Sequence, residues 1–259
     1  MPLDGRRTRI FLATDPIAAR STDAPSALAV GAHAVRMVDQ DEALCFDMYG
    51  TLCDVSSVAT AVRDELDVPA GVAADVDALW RRRQLEYAFQ RGAMGGYEPF
   101  DVVTAEALDY ALEYFGLDAA AAPALLDAYD ALDPFPDALD ALADLSTRYE
   151  TVVFSNGTPE MLAALAENTG IDRYVDGLVS ADAVGALKPA PAVYEQAADV
   201  LDRPLSACRL VSSNAWDVAG ASAAGMATAW VNRANDPPER VGGEADLAVA
   251  SLAELAERC

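Results

Sequence analysis

The chain has 259 residues, 53% of them apolar, with 42 acidic against 18 basic side chains and a net charge of −24. That is enough apolar material for one large domain or a core with a subdomain, and the composition is that of a folded chain. A surface so acidic repels phosphate and excludes a nucleic-acid binder, and no apolar run approaches the roughly 18 residues that a membrane span needs.

In chain order, residues 1–36 carry five Arg and three Asp, a net of +2, which leaves −26 on the other 223 residues. Arg6-Arg7 before Ile10-Phe11-Leu12-Ala13 faintly suggests an export signal, but Asp15 and Pro16 stop the apolar run short of the roughly 7 to 15 residues such a signal needs. The expectation is a loosely ordered extension, or a start upstream of Met37, where the acidic composition begins. From Ala43 onward short apolar runs alternate with helical patterns, which predicts βα units and a parallel sheet. The predicted strands are 43–47, 151–156, 177–180, 208–214, 228–232 and 246–250. Helix starts are predicted at Pro136, Pro159, Pro189 and Asp217, from the preference for Pro or Asp in a first turn. Residues 55–133 lack strand signals and read as helical throughout. The predicted architecture is therefore α/β, a Rossmann-like core from 37–54 and 134–259 with an inserted helical cap at 55–133.

Polar residues stop the strands. Asp47 ends the first, Ser155-Asn156-Gly157 the second and Ser212-Ser213-Asn214 the fourth, while Lys188 follows the third. In an open parallel sheet, ligands bind beyond the carboxyl ends of the strands. Each residue alone could be an ordinary helix cap. Together they predict a site, because Lys188 is the only lysine beside seventeen arginines. The single histidine, His33, removes His-based acid–base catalysis and most zinc sites. Cys45, Cys53, Cys208 and Cys259 have no CxxC spacing and read as reduced thiols in a cytoplasmic protein, with Cys45 and Cys53 as core packing. Acidity with lysine nearly absent predicts adaptation to concentrated salt, where self-repulsion is screened.

Phe46-Asp47-Met48-Tyr49-Gly50-Thr51-Leu52, Ser155-Asn156-Gly157, Lys188-Pro189 and Ser212-Ser213-Asn214-Ala215-Trp216-Asp217 resemble, in order, the four motifs of the haloacid dehalogenase superfamily. The last motif, with Leu79-Trp80-Arg81 and Gln84-Leu85-Glu86-Tyr87, resembles the L-2-haloacid dehalogenase branch. The resemblance covers residues 41 to 255. Phosphatases of the superfamily place a second Asp two residues after the nucleophile, to bind Mg²⁺ and protonate the leaving oxygen; here that residue is Tyr49, and Asn214 stands where another carboxylate is usual. A halide is a weak base that departs unprotonated, whereas an alkoxide needs a general acid, so a metal-free, cofactor-free dehalogenase is expected.

The resemblance implies that Asp47 attacks C2 of a short (S)-2-haloalkanoate, inverting it and leaving an ester that water hydrolyses to the (R)-2-hydroxy acid. An ordinary aspartate is already ionised at neutral pH and needs no base. Lys188, a compact cation, is suited to offset repulsion between Asp47 and the substrate carboxylate. By resemblance, Ser155 and nearby backbone N–H groups hold that carboxylate, Thr51 and Ser212 orient Asp47 and Lys188, and Arg81 forms a halide cradle with Asn156 and Phe100. Leu85 shares the helix face of Arg81, while Arg82 and Arg83 point elsewhere, to surface or inter-helix contacts. Asn214 and Asp217 are the candidates to position the hydrolytic water, Lys188 being the other candidate base; Tyr194 is expected beside the substrate carboxylate and Trp216 in the binding site. Trp80, Tyr87, Tyr110 and Tyr114 read as cap core or subunit contacts, and the family's habit implies a homodimer through the cap helices. The competing readings are a Mg²⁺-dependent phosphatase of small metabolites and a non-catalytic carboxylate binder.

Overall fold

The structure, a computed structural model, describes residues 9–11 and 41–259. Among the described residues, seven strands form one parallel sheet: β1 (Arg9–Phe11), β2 (Ala43–Phe46), β5 (Thr151–Ser155), β6 (Gly177–Ser180), β7 (Cys208–Ser212), β8 (Ala227–Val231) and β9 (Leu247–Val249). Their order across the sheet is β1-β6-β5-β2-β7-β8-β9. Strands of a parallel sheet are covered on both faces, which explains why they read as unbroken apolar runs. Alternate residues serve opposite cores. Leu44, Phe46, Val153 and Val211 pack on one face with Leu142, Leu165 and Leu252, while Cys45, Val152, Phe154 and Leu210 pack on the other with Tyr194 and Ala197.

The six strands predicted between Ala43 and Ala250 are present. β1 was not predicted; it pairs with β6 through Arg9↔Gly177 and Phe11↔Val179. The rest of the N-terminal segment, with its expected loose order, and His33 lie outside the described residues. Helices α5 (Ala138–Leu145), α6 (Pro159–Thr169), α7 (Pro191–Val200), α8 (Ala215–Ala224) and α9 (Leu252–Arg258) cover the sheet. Pro159 opens α6 as predicted, whereas Pro136 precedes α5 by two residues and Asp217 lies in the first turn of α8 rather than at its start. Pro189 does not open a helix either: it follows a cis Lys188–Pro189 peptide, and Pro191 starts α7.

After β2 the chain makes a helical excursion, α1 (Val58–Leu66), α2 (Ala70–Ala93), α3 (Phe100–Phe115) and α4 (Ala122–Tyr129). Its two ends are pinned by a two-residue antiparallel ladder, β3 (Cys53–Asp54) with β4 (Asp133–Pro134). The long α2 packs on α3 through Trp80, fully buried, whose Nε1–H donates to the Thr104 carbonyl at 2.9 Å, and through Gln84, which donates to Thr104 Oγ1 at 2.6 Å. Burying a ring the size of Trp80 stabilises the helix pair by about 3 kcal/mol or more. None of the described helices is long and apolar enough to cross a membrane. The four cysteines are free thiols, three of them buried.

The topology fixes where chemistry can occur. From β2 the chain continues to β5 and β6 on one side and to β7, β8 and β9 on the other. The sheet therefore reverses direction beside β2, leaving a crevice beyond its carboxyl end, and Asp47 is the next residue.

Candidate active site

Asp47 is 5% exposed, and its backbone N–H donates to the Val211 carbonyl at 2.9 Å, so β7 continues to hold the chain just past the strand end. Its two carboxylate oxygens have different surroundings. Oδ2 accepts from Asn214 Nδ2 at 2.8 Å, Thr51 Oγ1 at 3.1 Å and Ser212 Oγ at 3.4 Å. Oδ1 has Lys188 Nζ at 3.5 Å. Thr51 is itself tied, accepting from the Ser213 N–H at 2.8 Å. Ser212 accepts from the Asn214 N–H at 3.1 Å.

Lys188 is 1% exposed and its ammonium is held on three sides, by the Phe154 carbonyl at 2.7 Å, Asp217 Oδ2 at 2.9 Å and Asp47. It also lies 4.2 Å from the Phe154 ring centroid. Asn156 fixes this loop by accepting the Lys188 backbone N–H at 2.7 Å. Burial works against the charged ammonium, but the Asp217 and Asp47 carboxylates outweigh it and hold Lys188 above the usual lysine range. The two carboxylates thus favour the charged ammonium. Asp47 is no ordinary aspartate: burial pushes it up, Lys188 pulls it down, Asp217 adds to the rise, and Asn214 and Thr51 oppose it, with a net upward direction.

Asp47 faces a cavity of about 90 Å³ at the junction between the sheet and the helical excursion. Ser155, Asn156 and Asn214 line its sheet side, and Arg81, Leu85 and Phe100 its helix side. Tyr49 and Trp216 complete the predicted residues on its wall. Tyr49 stacks on Tyr129 with centroids 5.2 Å apart, and it lies so close to Gly157 that a Cβ there would come within 3.1 Å of its hydroxyl. On the same cavity wall, Arg81 Nη2 pairs with Asp77 Oδ2 at 2.8 Å, while its Nη1 is buried without a hydrogen-bond partner among the described residues. A buried donor left open in a cleft is a position for an anion. Arg82 and Arg83 point elsewhere as expected: Arg83 bonds Glu86 and the Tyr110 hydroxyl, and Arg82 lies 3.9 Å from Glu86.

Two expected placements require correction. Tyr194 does not reach the cavity; it is buried behind Asp217 and donates to Asp217 Oδ1 at 2.8 Å. Asp217 is fully buried, with one oxygen taken by Lys188 and the other by Tyr194; neither it nor Lys188 is on the cavity wall, and Asp217 is linked to Asp47 through the Lys188 ammonium, whereas Asn214 lines the cavity directly. Asn214, the residue before α8, reaches Asp47 at the end of β2, whereas Asp217, in the first turn, lies against Lys188. Gln84, Tyr129 and Val55 also line the cavity and were not predicted. For Tyr129 nothing local distinguishes it from a helix-core aromatic, since its part in the wall depends on stacking with Tyr49.

A single amide bridges two oxygens at this site. Asn214 Nδ2 donates to Asp47 Oδ2 and also to the Tyr49 carbonyl at 3.0 Å.

Known proteins resemble this chain over most of its length. Residues 42–225 match the family of haloacid dehalogenase-like hydrolases. The chain is 42% identical to (S)-2-haloacid dehalogenase 1 of Pseudomonas sp. strain CBS-3, over 84% of this chain and 96% of that protein. It is 40% identical to (S)-2-haloacid dehalogenase 4A of Burkholderia cepacia, over 85% and 95%. Among solved structures, the L-2-haloacid dehalogenase of Xanthobacter autotrophicus with chloropropionic acid covalently bound superimposes with a TM-score of 0.77 at 34% identity, covering 83% of this chain and 97% of that one.

Proposed function

The chain belongs to the haloacid dehalogenase-like hydrolases, and on that premise we propose that it hydrolyses short (S)-2-haloalkanoic acids to (R)-2-hydroxy acids through an ester on Asp47. The observation that carries this reading is the pairing across one small cavity of an aspartate with a lightly bonded oxygen and an arginine with an unfilled N–H.

Three donors occupy Oδ2 of Asp47, so Oδ1 is the oxygen free to attack. It displaces halide from C2, forming a C–O bond as the C–halogen bond breaks with its electron pair. Arg81 Nη1 receives the developing halide, and the apolar walls from Leu85 and Phe100 exclude water and strengthen that attraction. Ser155 and the backbone beside it bind the substrate carboxylate. Water then attacks the Asp47 carboxyl carbon; as the tetrahedral intermediate collapses, the bond from that carbon to Oδ1 breaks, one water proton passes to the departing hydroxy-acid oxygen and the other leaves to solvent, regenerating the Asp47 carboxylate. Charge builds on Oδ2, where Asn214, Thr51 and Ser212 already point their donors, an oxyanion hole present before the reaction begins. Asp217 acts on this step through Lys188, and Asn214 is the residue on the cavity wall to hold the water.

The reaction is metal-independent in this reading. The two oxygens that Mg²⁺ would need, Asp47 Oδ2 and the Tyr49 carbonyl, both face the N–H donors of Asn214, and the donor set does not fit a divalent cation. Chloride release from (S)-2-chloropropionate in EDTA, beside p-nitrophenyl phosphate turnover with Mg²⁺, separates dehalogenase from phosphatase. Binding of 2-chloropropionate without turnover would point to the non-catalytic homologue. In ¹⁸O-water the first turnover is expected to label Asp47 and not the product; label in the first product molecule refutes the ester.

We further propose a salt-adapted, cytoplasmic homodimer. The net charge of −24 supports the first, and unchanged stability in dilute buffer would refute it. Free cysteines support the second, which fractionation of the native cell tests. Exposed Met94 and Tyr114, at 77% and 67%, support pairing through α2 and α3; a monomeric mass by light scattering would refute that.

A further inference from the structure

Asp77 lies one turn before Arg81 on α2, and neither composition nor motif marks it. Carboxylate–arginine pairs at this spacing are ordinary on helix surfaces. This one is not on a surface, since the Asp77 side chain is 3% exposed and that of Arg81 29%. The contact is single-pronged, Nη2 to Oδ2 at 2.8 Å, and leaves a buried polar atom without a hydrogen bond on each partner, Asp77 Oδ1 and Arg81 Nη1. A two-pronged pair would have satisfied both. The open N–H is the one assigned above to the departing halide.

The groups facing Asp77 are Arg81 on its own helix, Asp54 from β3 and the Tyr129 hydroxyl from α4. An uncompensated guanidinium in this cleft would hold any small anion firmly. It would retain the halide product and admit ambient chloride in place of substrate. A fixed carboxylate on the same guanidinium repels a halide placed beside it, while leaving Nη1 of a cavity-lining arginine without a hydrogen bond among the described residues.

We propose that Asp77 is a positioning residue that aims Arg81 at the leaving halide and, through its own negative charge, limits how tightly that halide is held. The inference rests on the dehalogenation reading. It makes halide affinity depend on the charge of Asp77. Burial pushes this carboxyl up to about 6, with Arg81 pulling it down and Asp54 adding to the rise. Protonation below that value removes the repulsion, so halide inhibition tightens as pH falls.

The test follows turnover of (S)-2-bromopropionate by the full-length protein against added chloride, with ionic strength held by sodium sulfate. In the wild type the chloride inhibition constant is expected to fall on the order of tenfold between pH 8 and pH 5, the size of a single buried like-charge contact. Asp77→Asn retains an oxygen to accept from Arg81. It should show the tighter constant already at pH 8 and lose most of the pH dependence, an effect that mere loosening of the helix would not produce. A wild-type constant that does not move with pH, or an Asp77→Asn constant that is unchanged or weaker, overturns the proposal. The wild-type arm needs no variant to fold. A wild-type protein that releases no bromide overturns the dehalogenation reading itself, a different outcome from turnover with chloride inhibition indifferent to Asp77.

Discussion

Replacing Lys188 with Met tests whether a local cation is what keeps the buried nucleophile usable. The ammonium lies 3.5 Å from Asp47 Oδ1. At an effective dielectric of about 20, that attraction is of order 5 kcal/mol. Its loss raises the Asp47 carboxyl further. Asp47 already sits above the ordinary range through burial, and Asp217 would then repel it without the intervening cation. The acid limb of kcat/KM should therefore move to higher pH. At pH 7 kcat/KM should fall by about 10³ or more, because the substrate carboxylate also loses its counter-charge. Part of the loss should return at high pH, where Asp47 ionises again. Halide release measured between pH 5 and pH 10 reads both limbs, and an acid limb in Lys188→Met that coincides with the wild type would refute the reasoning. The stability sign is separate: the folded Lys188 pKa is raised, so its contribution is fully present below about 10.4, the unfolded value, and is lost only as pH rises through the higher folded value. Near neutrality the variant should lose about 3 kcal/mol, with some recovery in acid as the stranded carboxylates protonate. Arginine is a poor substitute, because a planar fork does not match a pocket that meets an ammonium on three sides.

Two other perturbations probe separate parts of the molecule. Asn214→Asp turns the donor on Asp47 Oδ2 and the Tyr49 carbonyl into an acceptor, and halide release should drop by about 10² or more whether or not Mg²⁺ is added; activity regained with Mg²⁺ would show that the donor set does accommodate a cation. Asp137 joins α9 to the sheet by taking two bonds from Arg233, at 2.9 and 3.0 Å, and one from the Leu252 N–H at 2.8 Å. Burial opposes ionisation there, but Arg233 and the backbone donors hold the carboxyl below its ordinary 3.8. Its stabilisation is present above about pH 4 and is lost as pH falls through the depressed native value. Asp137→Asn should cost about 1–3 kcal/mol at pH 7 by urea denaturation, and a difference that does not shrink in acid would argue against an ionic contribution.

The sheet was legible because its strands are buried on both faces and are stopped by polar residues, and the same stops located Asp47, Ser155 and Ser212. What was not legible depends on register or on distant partners. β1 is three residues long and its pairing is decided by the free edge of β6, not by its own pattern. The helix starts near Pro136 and Pro189 slipped because proline also suits the turn before a helix. Tyr194 and Asp217 carry the right chemistry, yet they bond each other and Lys188 and so lie off the cavity wall. Asp77 and Tyr129 escaped altogether, since each acquires its place only when α2, α4 and the residues after β2 come together.

Tyr49 ties the choice of reaction to the packing of the fold. Its ring is part of the cavity wall, stacked on Tyr129 and seated against a glycine with almost no room for a side chain. Restoring an aspartate at this position, as a phosphatase would require, removes the ring as well as adding an acid, and leaves a void that Tyr129 and Gly157 must collapse to fill. Two chemistries that differ on paper by a pair of carboxylates are thus separated by a change of shape. A sequence changed at Tyr49 alone would have neither a sealed cleft for halide nor a complete cage for a cation, so the order of the two changes matters.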